Sequence, residues 1–238
     1  MNIEEFSETW EKYLKKYYWP DIEKFKDADE FSERITNHKK DGNFYNSSPA
    51  LSPDGERIAF ISDRDGLFKI FLMDLNKKES IRELVSSFRR QDFEDLNMLT
   101  PGISWNPEGT KLAISAKSGG EDAIFIVDAN NGDYNKIKLG ISSISSVGWS
   151  PDGKYLAFIG SVKQQSDIYL YNFETEKVIN LTNDIFSDFF PIFSPDSKSI
   201  YFISDRSEFV EKKVNINNFK MWRSEERRVG KECRSRWS

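Results

Sequence analysis

Residues 150–159 read Ser-Pro-Asp-Gly-Lys-Tyr-Leu-Ala-Phe-Ile, a turn sequence that leads directly into an apolar run. Serine suits the first position of such a turn, proline presets φ at the second, and glycine takes the positive φ that a hairpin bulge requires. Related phrases occur at 52–55, 106–109 and 194–197, the last with Ser197 in place of glycine. The sequence therefore predicts the same hairpin four times, and the fourth turn should be slightly strained or differently closed.

The four turns recur at a nearly fixed spacing. Their prolines are 54, 44 and 44 residues apart, and a polar insert at 87–95 accounts for the longer first interval. Each turn precedes one strand-like run, a second run follows the next turn, and a weaker strand and a short strand complete the repeat. These runs are 58–61, 112–114, 155–159 and 200–203, then 69–73, 123–127 and 167–171, with 178–182 and 146–149 as examples of the last two strands.

The strands are apolar almost throughout, which indicates that both faces of each sheet are covered. Four strands in about 44 residues match the period of propeller blades, which bury their faces against one another. A stack of β-sandwiches would give no reason for a fixed period. The sequence therefore predicts an all-β fold, a β-propeller with about four blades of which the last is incomplete.

The first 45 residues predict a short helical segment ahead of the blades. An apolar stripe at helical spacing predicts a first helix, which ends before Pro20 because proline disfavours helix in the preceding residue. A second short helix is predicted over 28–36, with Asp27 as its N-cap and Glu30 three residues further on. The stripe consists of Ile3, Phe6, Trp10, Leu14 and Tyr17.

The last sixteen residues, 223–238, read RSEERRVGKECRSRWS and lack helical or strand periodicity. The string resembles a translated adapter oligonucleotide of short-read DNA sequencing, so we interpret it as a non-native tail rather than a basic tail for nucleic acid or membrane. Without its six basic and three acidic residues the formal charge changes from −5 to −8, and the only cysteine, Cys233, is removed. We expect the natural frame to continue beyond Trp222, and the predicted domains are 1–45, 46–222 and 223–238.

The residue inventory predicts no catalytic, cofactor-binding or metal site. The one histidine, His38, lies in a polar run typical of a surface linker, and neither a His-Glu-x-x-His sequence nor a cysteine pair offers zinc ligands. Asp63 and Asp65 flank Arg64 as in part of a calcium loop, but the remaining ligands are missing and a hairpin turn explains them better. A nucleophile, base and orienting acid within reach of one another are not indicated.

Other polar features also favour structural roles. Gly119-Gly120 has no helix after it and so makes no phosphate cradle. The turn residues Asp54, Asp152 and Asp196 are expected to hydrogen-bond the turn backbone. The acidic balance argues against nucleic acid, and Arg89-Arg90 is too small a basic patch to change this. No apolar run reaches the roughly 20 residues of a membrane-spanning helix, and the polar start is not a secretory signal.

The turn phrase, followed by Ile-Ala-Phe-Ile-Ser-Asp-Arg-Asp-Gly at 58–66 and a strand that ends in Met73-Asp74, resembles the TolB-type propeller repeat. The sequences 179–184 and 191–196 are similar to the joint between consecutive blades in that family, and the likeness covers about 49–206. The resemblance implies a periplasmic or cell-envelope protein that binds protein or peptide partners, because TolB proper is a six-bladed periplasmic propeller that contacts envelope lipoproteins and cell-division partners. The insert and a charged stretch at 208–213 depart from the pattern.

Three functional hypotheses follow. The first is a non-catalytic, monomeric scaffold without cofactors that binds protein or peptide partners through its loop faces. The second is the propeller of a prolyl-oligopeptidase-type serine peptidase whose Ser, Asp and His would lie downstream. The third is a regulatory module of an upstream metallopeptidase, since 6–14 and 18–20 look like the end of a zinc-metallopeptidase-like domain. Unpaired strand edges aggregate, so we expect this chain to be poorly soluble.

Overall fold

The structure is a computed structural model, and it describes residues 3–19, 31–77, 80–86, 93, 95–96, 102–162, 165–205, 215–216 and 219–224. The chain divides into two compact units, Met1–Asp41 and Gly42–Ser238. Among the described helices, none is both long and apolar enough to cross a membrane.

The first unit contains the predicted first helix, α1 (Ile3–Tyr18). The amide of Trp19 donates to the carbonyl of Lys15, which closes the last turn just before Pro20, as the sequence predicts. Aromatic rings stack along the helix, with centroid distances of 5.8 Å for Trp10–Tyr13 and 6.1 Å for Tyr13–Tyr17. The helix therefore presents a row of exposed aromatic side chains.

The second helix lies elsewhere than predicted. Residues 31–36 are a turn, a bend and irregular backbone, and the helical turn is α2 (His38–Asp41). Asn37 explains this start, since its Oδ1 accepts the Lys40 amide at 3.2 Å while Asp41 Oδ2 accepts the Asn37 amide at 2.9 Å. The prediction over 31–36 is wrong because this reciprocal cap sits after the β-branched Ile35-Thr36 pair. Its proposed cap, Asp27, and Glu30 lie outside the described residues.

The second unit contains four sheets, each of which follows one copy of the repeat. In the first three blades, consecutive strands pair antiparallel from the innermost strand outward, which confirms the predicted propeller architecture. The strands are β1 (Asn46–Leu51), β2 (Arg57–Ser62), β3 (Lys69–Asp74) and β4 (Ile81–Ser86) in blade 1; β5 (Asp95–Leu96), β6 (Ile103–Trp105), β7 (Lys111–Ser118), β8 (Glu121–Asp128) and β9 (Tyr134–Ile137) in blade 2; β10 (Ser143–Trp149), β11 (Tyr155–Val162), β12 (Gln165–Asn172) and β13 (Lys177–Asn180) in blade 3; and β14 (Asp188–Phe193), β15 (Ser199–Ser204), β16 (Asn215–Ile216) and β17 (Phe219–Ser224) in blade 4.

The insert before blade 2 is not purely polar. Its described residues include Phe93, which is 1% exposed and packs against Phe125 at a centroid distance of 4.1 Å. The insert also ends in β5, which pairs with β7 beside β6 and gives blade 2 a fifth strand. The polar residues around Phe93 concealed this core position from sequence analysis.

Blade 4 departs from the repeat at its third strand. β17 pairs parallel with β15, whereas the third strands of blades 1 to 3 pair antiparallel with the second. Arg223 and Ser224 end β17, and the charged stretch 208–213 and the rest of the expected tail, with Cys233, lie outside the described residues. Blade 4 is therefore an incomplete copy in its described part.

The blades bury their faces against one another. Ile61 and Leu72 of blade 1 pack with Leu112 and Phe125 of blade 2 in one cluster. Equivalent clusters join blade 2 to blade 3 and blade 3 to blade 4. Strands that are apolar on both faces are thereby explained, because each inner sheet has a neighbouring blade on either side.

The connections separate into two ends of the blades. The proline turns between the first and second strands lie at one end, with the turns between the third and fourth strands, as the hydrogen bond from Leu75 N to Glu56 O shows. At the opposite end lie the turns between the second and third strands and the joints that enter each new blade. We call these two ends the proline-turn face and the joint face.

Candidate protein-interaction face

The joint face of blade 1 is built around Asp63, which follows β2. Its Oδ1 accepts the backbone amides of Phe44 at 3.0 Å and Tyr45 at 2.9 Å. The amide of Asp63 returns a bond to the carbonyl of Tyr45 at 3.3 Å. Two amides on one carboxylate fix the backbone that enters β1, since such charge-assisted bonds are stronger than neutral ones.

Blade 4 repeats this fastening at the equivalent positions. Asp205 follows β15, and its Oδ1 accepts the amide of Ser187 at 2.8 Å while its own amide donates to the carbonyl of Ser187. Asp184, within the same joint, accepts the amide of Phe186 at 2.9 Å. The joints into blades 1 and 4 are thus each held by a carboxylate that follows the second strand of the same blade.

Both fastened joints present an apolar side chain to solvent. Phe44 is 94% exposed and Ile185 is 85% exposed. Leu67, in the turn after β2, and Val162, the last residue of β11, lie at the same end of blades 1 and 3 and are also exposed. Tyr45 packs edge-on against Phe68 at 5.9 Å. Exposed apolar groups on a fixed backbone can bury themselves in a partner without a large loss of conformational entropy.

Three carboxylates meet where blade 3 enters blade 4. Asp167, Asp184 and Asp188 each place one oxygen within 4.8 Å of the others, and Asp167 and Asp188 are buried. Asp167 accepts hydrogen bonds from Asn180 Nδ2 at 2.9 Å and Thr182 Oγ1 at 3.2 Å. Oxygen ligands of this type could hold a divalent cation, but the hydrogen bonds of Asp167 and Asp184 already give these two side chains a structural role.

The environment of Tyr169 reflects these carboxylates. Burial raises the pKa of the Tyr169 phenol, the nearby Asp167 carboxylate raises it further, and a hydrogen bond with Asn180 opposes both. The sequence did not reveal this cluster because its residues come from a strand, a joint and the next blade, with no motif spacing between them.

The residues that the sequence singled out are distributed through the fold. His38 is exposed at the start of α2, in the first unit. Asp63 fastens a joint, and Asp65 belongs to a 3-10 turn, Arg64–Gly66. Gly119 and Gly120 take positive φ values in the turn between β7 and β8, as a hairpin requires. His38 lies in the first unit, whereas the aspartates and glycines singled out by the sequence lie in the second.

The turn aspartates behave as predicted. Asp54, Asp152 and Asp196 each accept the hydroxyl of the serine two residues earlier and the amide two residues later. The serine hydrogen bond, followed by the backbone amide, lowers the pKa of Asp54 and of Asp196 below the ordinary value. The contacts of these carboxylates are those of turn residues that stabilise the proline turns, and they do not indicate a catalytic role.

Blade 2 reaches the same turn with different side chains. Asn106 takes the place of serine, and its Oδ1 accepts the amides of Thr110 at 2.8 Å and Lys111 at 2.7 Å. Its Nδ2 donates to Glu108, which stands where the other turns have aspartate. The exchange of both residues together keeps the turn closed.

Comparison with known proteins points to one family. A family described as the TolB beta propeller domain matches residues 32–159. An uncharacterised protein of Agrobacterium fabrum is 29% identical over 161 residues, which are 67% of this chain and 51% of that protein. The crystal structure of TolB from Acinetobacter baumannii superposes with a TM-score of 0.59 at 25% identity, covering 74% of this chain and 41% of that one.

A peptidase is also among the relatives. Dipeptidyl-peptidase 5 of Porphyromonas gingivalis is 26% identical over 201 residues, which are 66% of this chain and 29% of the peptidase. The chain thus spans about half the length of the Agrobacterium protein and less than a third of the length of the peptidase.

Proposed function

Because the chain belongs to the TolB beta propeller domain family, we propose that it is a non-catalytic scaffold that binds protein or peptide partners. The binding surface is the joint face, with Phe44 and Ile185 as its apolar anchors. The scaffold acts as a monomer in the bacterial cell envelope, on the periplasmic side that the family resemblance implies. Neither a cofactor nor a nucleic acid takes part.

The observation that supports this proposal best is the presentation of Phe44. An aromatic ring that is 94% exposed has little packing to contribute to the free protein, yet its backbone is fixed by the Asp63 carboxylate. Aromatic anchors that bury in a partner's pocket dominate the binding energy of protein interfaces. A fixed backbone keeps the ring accessible and reduces the entropy lost on binding.

Site-specific photocrosslinking tests the proposal. A photoreactive phenylalanine analogue replaces Phe44, Ile185 or, as a control on the proline-turn face, the exposed Glu56 of blade 1, and the chain is expressed in the periplasm. We expect Phe44 and Ile185 to yield the same crosslinked partner and Glu56 to yield none. The crosslink at position 185 should weaken when Phe44→Asp is added, because the anchor is replaced by a charge.

Two results would contradict the scaffold proposal. One is an equal set of adducts at all three positions, which would mean that the joint face has no selectivity. The other is a crosslink at position 185 that Phe44→Asp leaves unchanged in yield, since the two anchors would then not share a partner.

A second candidate function is the propeller of a serine peptidase, favoured by the match to a dipeptidyl-peptidase over 66% of this chain. In that case the propeller would control access to a catalytic domain that carries the Ser, Asp and His. Extension of the gene in the downstream direction distinguishes the two. A Gly-x-Ser-x-Gly sequence with a later histidine would replace the scaffold proposal with the peptidase.

A further inference from the structure

We propose that a groove between blades 2 and 3 binds an acidic peptide segment that carries an aromatic or branched apolar side chain. The groove has a volume of about 540 Å³ and lies between β8 and β9 on one side and the end of β12 on the other. The peptide would be a partner of the proposed scaffold, so the inference rests on the proposed function. The groove, however, is formed by different residues from those of the joint face.

One wall of the groove is aromatic. Trp149 and Phe173 stack with 4.8 Å between ring centroids and 14° between planes, and Tyr171 meets Phe173 edge-on at 5.2 Å. The Trp149 indole N–H donates to the carbonyl of Gly153 at 3.2 Å, which holds the ring in place. An apolar side chain of a ligand can pack against a rigid aromatic wall of this kind.

The opposite wall comes from blade 2 and is aliphatic. Ile126, Ile137 and Leu139 line it. Tyr171 and Ile126 are nearly buried, whereas the outer part of the groove is open to solvent. The groove therefore has an apolar floor that an inserted side chain would cover.

The rim of the groove is positively charged in a chain whose formal net charge is −5. Lys111 and Lys138 line it and are exposed, and Glu176 is the acidic residue at its edge. Lys136 contributes its backbone, because its ammonium bonds Ser118 and lies 5.9 Å from the Phe125 ring on the other side of the sheet. In a protein of negative net charge, these two lysines form a local positive patch. Such a patch favours a ligand that carries carboxylates.

Glu176 marks the place where a like charge would be unfavourable. The pKa of the Tyr171 phenol is raised mainly by burial and secondarily by the negative charge of Glu176. Because Glu176 also lines the groove, its carboxylate lies close enough to influence a ligand. Carboxylates of the peptide are expected near the lysines and away from Glu176.

The position of β9 favours a peptide over other anions. In the described sheet of blade 2, β9 is the last strand and pairs with β8. An edge strand can add an extended peptide through backbone hydrogen bonds while neighbouring pockets select its side chains. The lysines and the aromatic wall lie on the same groove and would supply that selection.

Fluorescence anisotropy with the full chain tests the inference. The probe is a labelled seven-residue peptide, Glu-Glu-Asp-Phe-Leu-Glu-Asp, and the comparison peptides replace Phe-Leu by Ser-Ser or every carboxylate by its amide. We expect both comparison peptides to bind at least about tenfold more weakly than the probe. Equal binding of the Ser-Ser peptide would mean attraction by charge alone and would overturn the inference, as would no binding of the probe.

Variants of the chain locate the site. Lys111→Glu with Lys138→Glu should weaken the probe about tenfold, whereas Lys77→Glu with Lys117→Glu, a matched charge change at exposed lysines elsewhere, should change it by less than about twofold. Glu176→Lys, which replaces the acidic residue at the groove edge by a basic one, should tighten binding about threefold. Equal effects of the two lysine pairs, or no gain from Glu176→Lys, would overturn the inference.

The joint face provides the final control. Phe44→Asp should leave the probe's affinity unchanged, because Phe44 lies on the joint face of blade 1, whereas the groove lies between blades 2 and 3. In the original chain, absence of the joint-face crosslinks together with intact peptide binding would contradict the proposed function alone, and joint-face crosslinks without peptide binding would contradict the groove alone.

Discussion

The backbone N–H of Asp152 donates to Ser197 Oγ across 3.0 Å, so the proline turn of blade 3 is bonded to the proline turn of blade 4. The proline turns of the other neighbouring blades are also in contact. Between blades 1 and 2, Arg57 Nη2 donates to the carbonyl of Gly109 at 2.8 Å. Between blades 2 and 3, a Cβ added at Gly153 would lie 3.6 Å from Pro107. The turns that close individual hairpins therefore also link neighbouring blades.

Ser197 shows how the repeat tolerates the loss of a glycine. Its φ is +58°, in the left-handed region of the glycines that it replaces, and its amide closes the turn onto Ser194 as they do. Of the two alternatives expected for this turn, strain is the one present, since the turn closes as the glycine turns do. The hydroxyl supplies an interblade acceptor that glycine could not.

Replacement of Ser197 should separate strain from hydrogen bonding. Ser197→Ala keeps the strained φ and loses the acceptor, so it should lower the free energy of unfolding by about 1 kcal/mol. Ser197→Gly loses the same bond but relieves the strain, and its net change should stay within about 0.5 kcal/mol. Urea denaturation monitored by circular dichroism measures both. A glycine variant that is as unstable as the alanine variant would show that strain is negligible here.

Much of the fold was predictable because the turn phrase and the apolar runs carry local information. Proline and glycine positions fix where the chain reverses, and two-sided apolar strands imply neighbouring blades. The burial of Phe93 and the parallel placement of β17 were not predictable, since both depend on contacts with distant strands.

The interaction face was less accessible to sequence analysis for the same reason. Asp63 looks like a turn residue, and the structure shows that its carboxylate fastens a joint 18 positions earlier in the chain. Phe44 lies within the 45 residues predicted to be a helical segment, and its sequence position did not indicate that it would be exposed at the entry to β1. The sequence pattern alone does not distinguish a turn aspartate from one that bonds a distant joint, or a buried aromatic residue from an exposed one.

A methyl group at Gly132 should disrupt the contact between blades 1 and 2. At φ +74°, an added Cβ would lie 2.5 Å from the backbone oxygen of Leu84, which cannot yield as a flexible side chain can. Gly132→Ala should therefore destabilise the chain by roughly 3 kcal/mol or more. Thermal or urea unfolding provides the measurement.

Gly119→Ala is the matched control for that substitution. Its φ is +68°, but a Cβ there would meet nothing within 4 Å. It should cost only the backbone strain, about 1 kcal/mol. If the two alanine variants unfold at the same denaturant concentration, the steric contact with Leu84 does not limit stability.

Acid should weaken the proline turns of blades 1 and 4. The pKa of Asp54 and of Asp196 is lowered in the folded chain, first by the serine hydroxyl and then by a backbone amide. A lowered folded pKa means that the stabilisation is present above the unfolded value and is lost as the pH falls below about 4. Unfolding measured between pH 7 and pH 3 should show this decline.

Amide variants provide the control for the acid effect. Asp54→Asn combined with Asp196→Asn should lower stability at pH 7 and leave a shallower dependence on pH. The curves of the variant and the original chain should approach each other at the acidic end. Parallel curves throughout would mean that these two carboxylates do not contribute to acid sensitivity.

The outer face of blade 4 should drive self-association. Ile200 and Phe202 pack against blade 3, but on the opposite side of the same sheet Ile192 is 66% exposed and Ile203 is 44% exposed. The pairing of Ile192 with Tyr201 extends this apolar face across two strands. In blades 1 to 3 the corresponding sheet face is covered by the next blade.

Ile192→Lys with Ile203→Lys should therefore raise the soluble, monodisperse fraction of the chain in size-exclusion chromatography with light scattering, because charges on an exposed sheet oppose association. Leu67→Lys with Ile185→Lys adds the same charge at exposed apolar positions of the joint face and should have a much smaller effect. Charge alone would explain equal improvement by both pairs, whereas a selective effect of the blade 4 pair identifies the uncovered sheet face as the source of association.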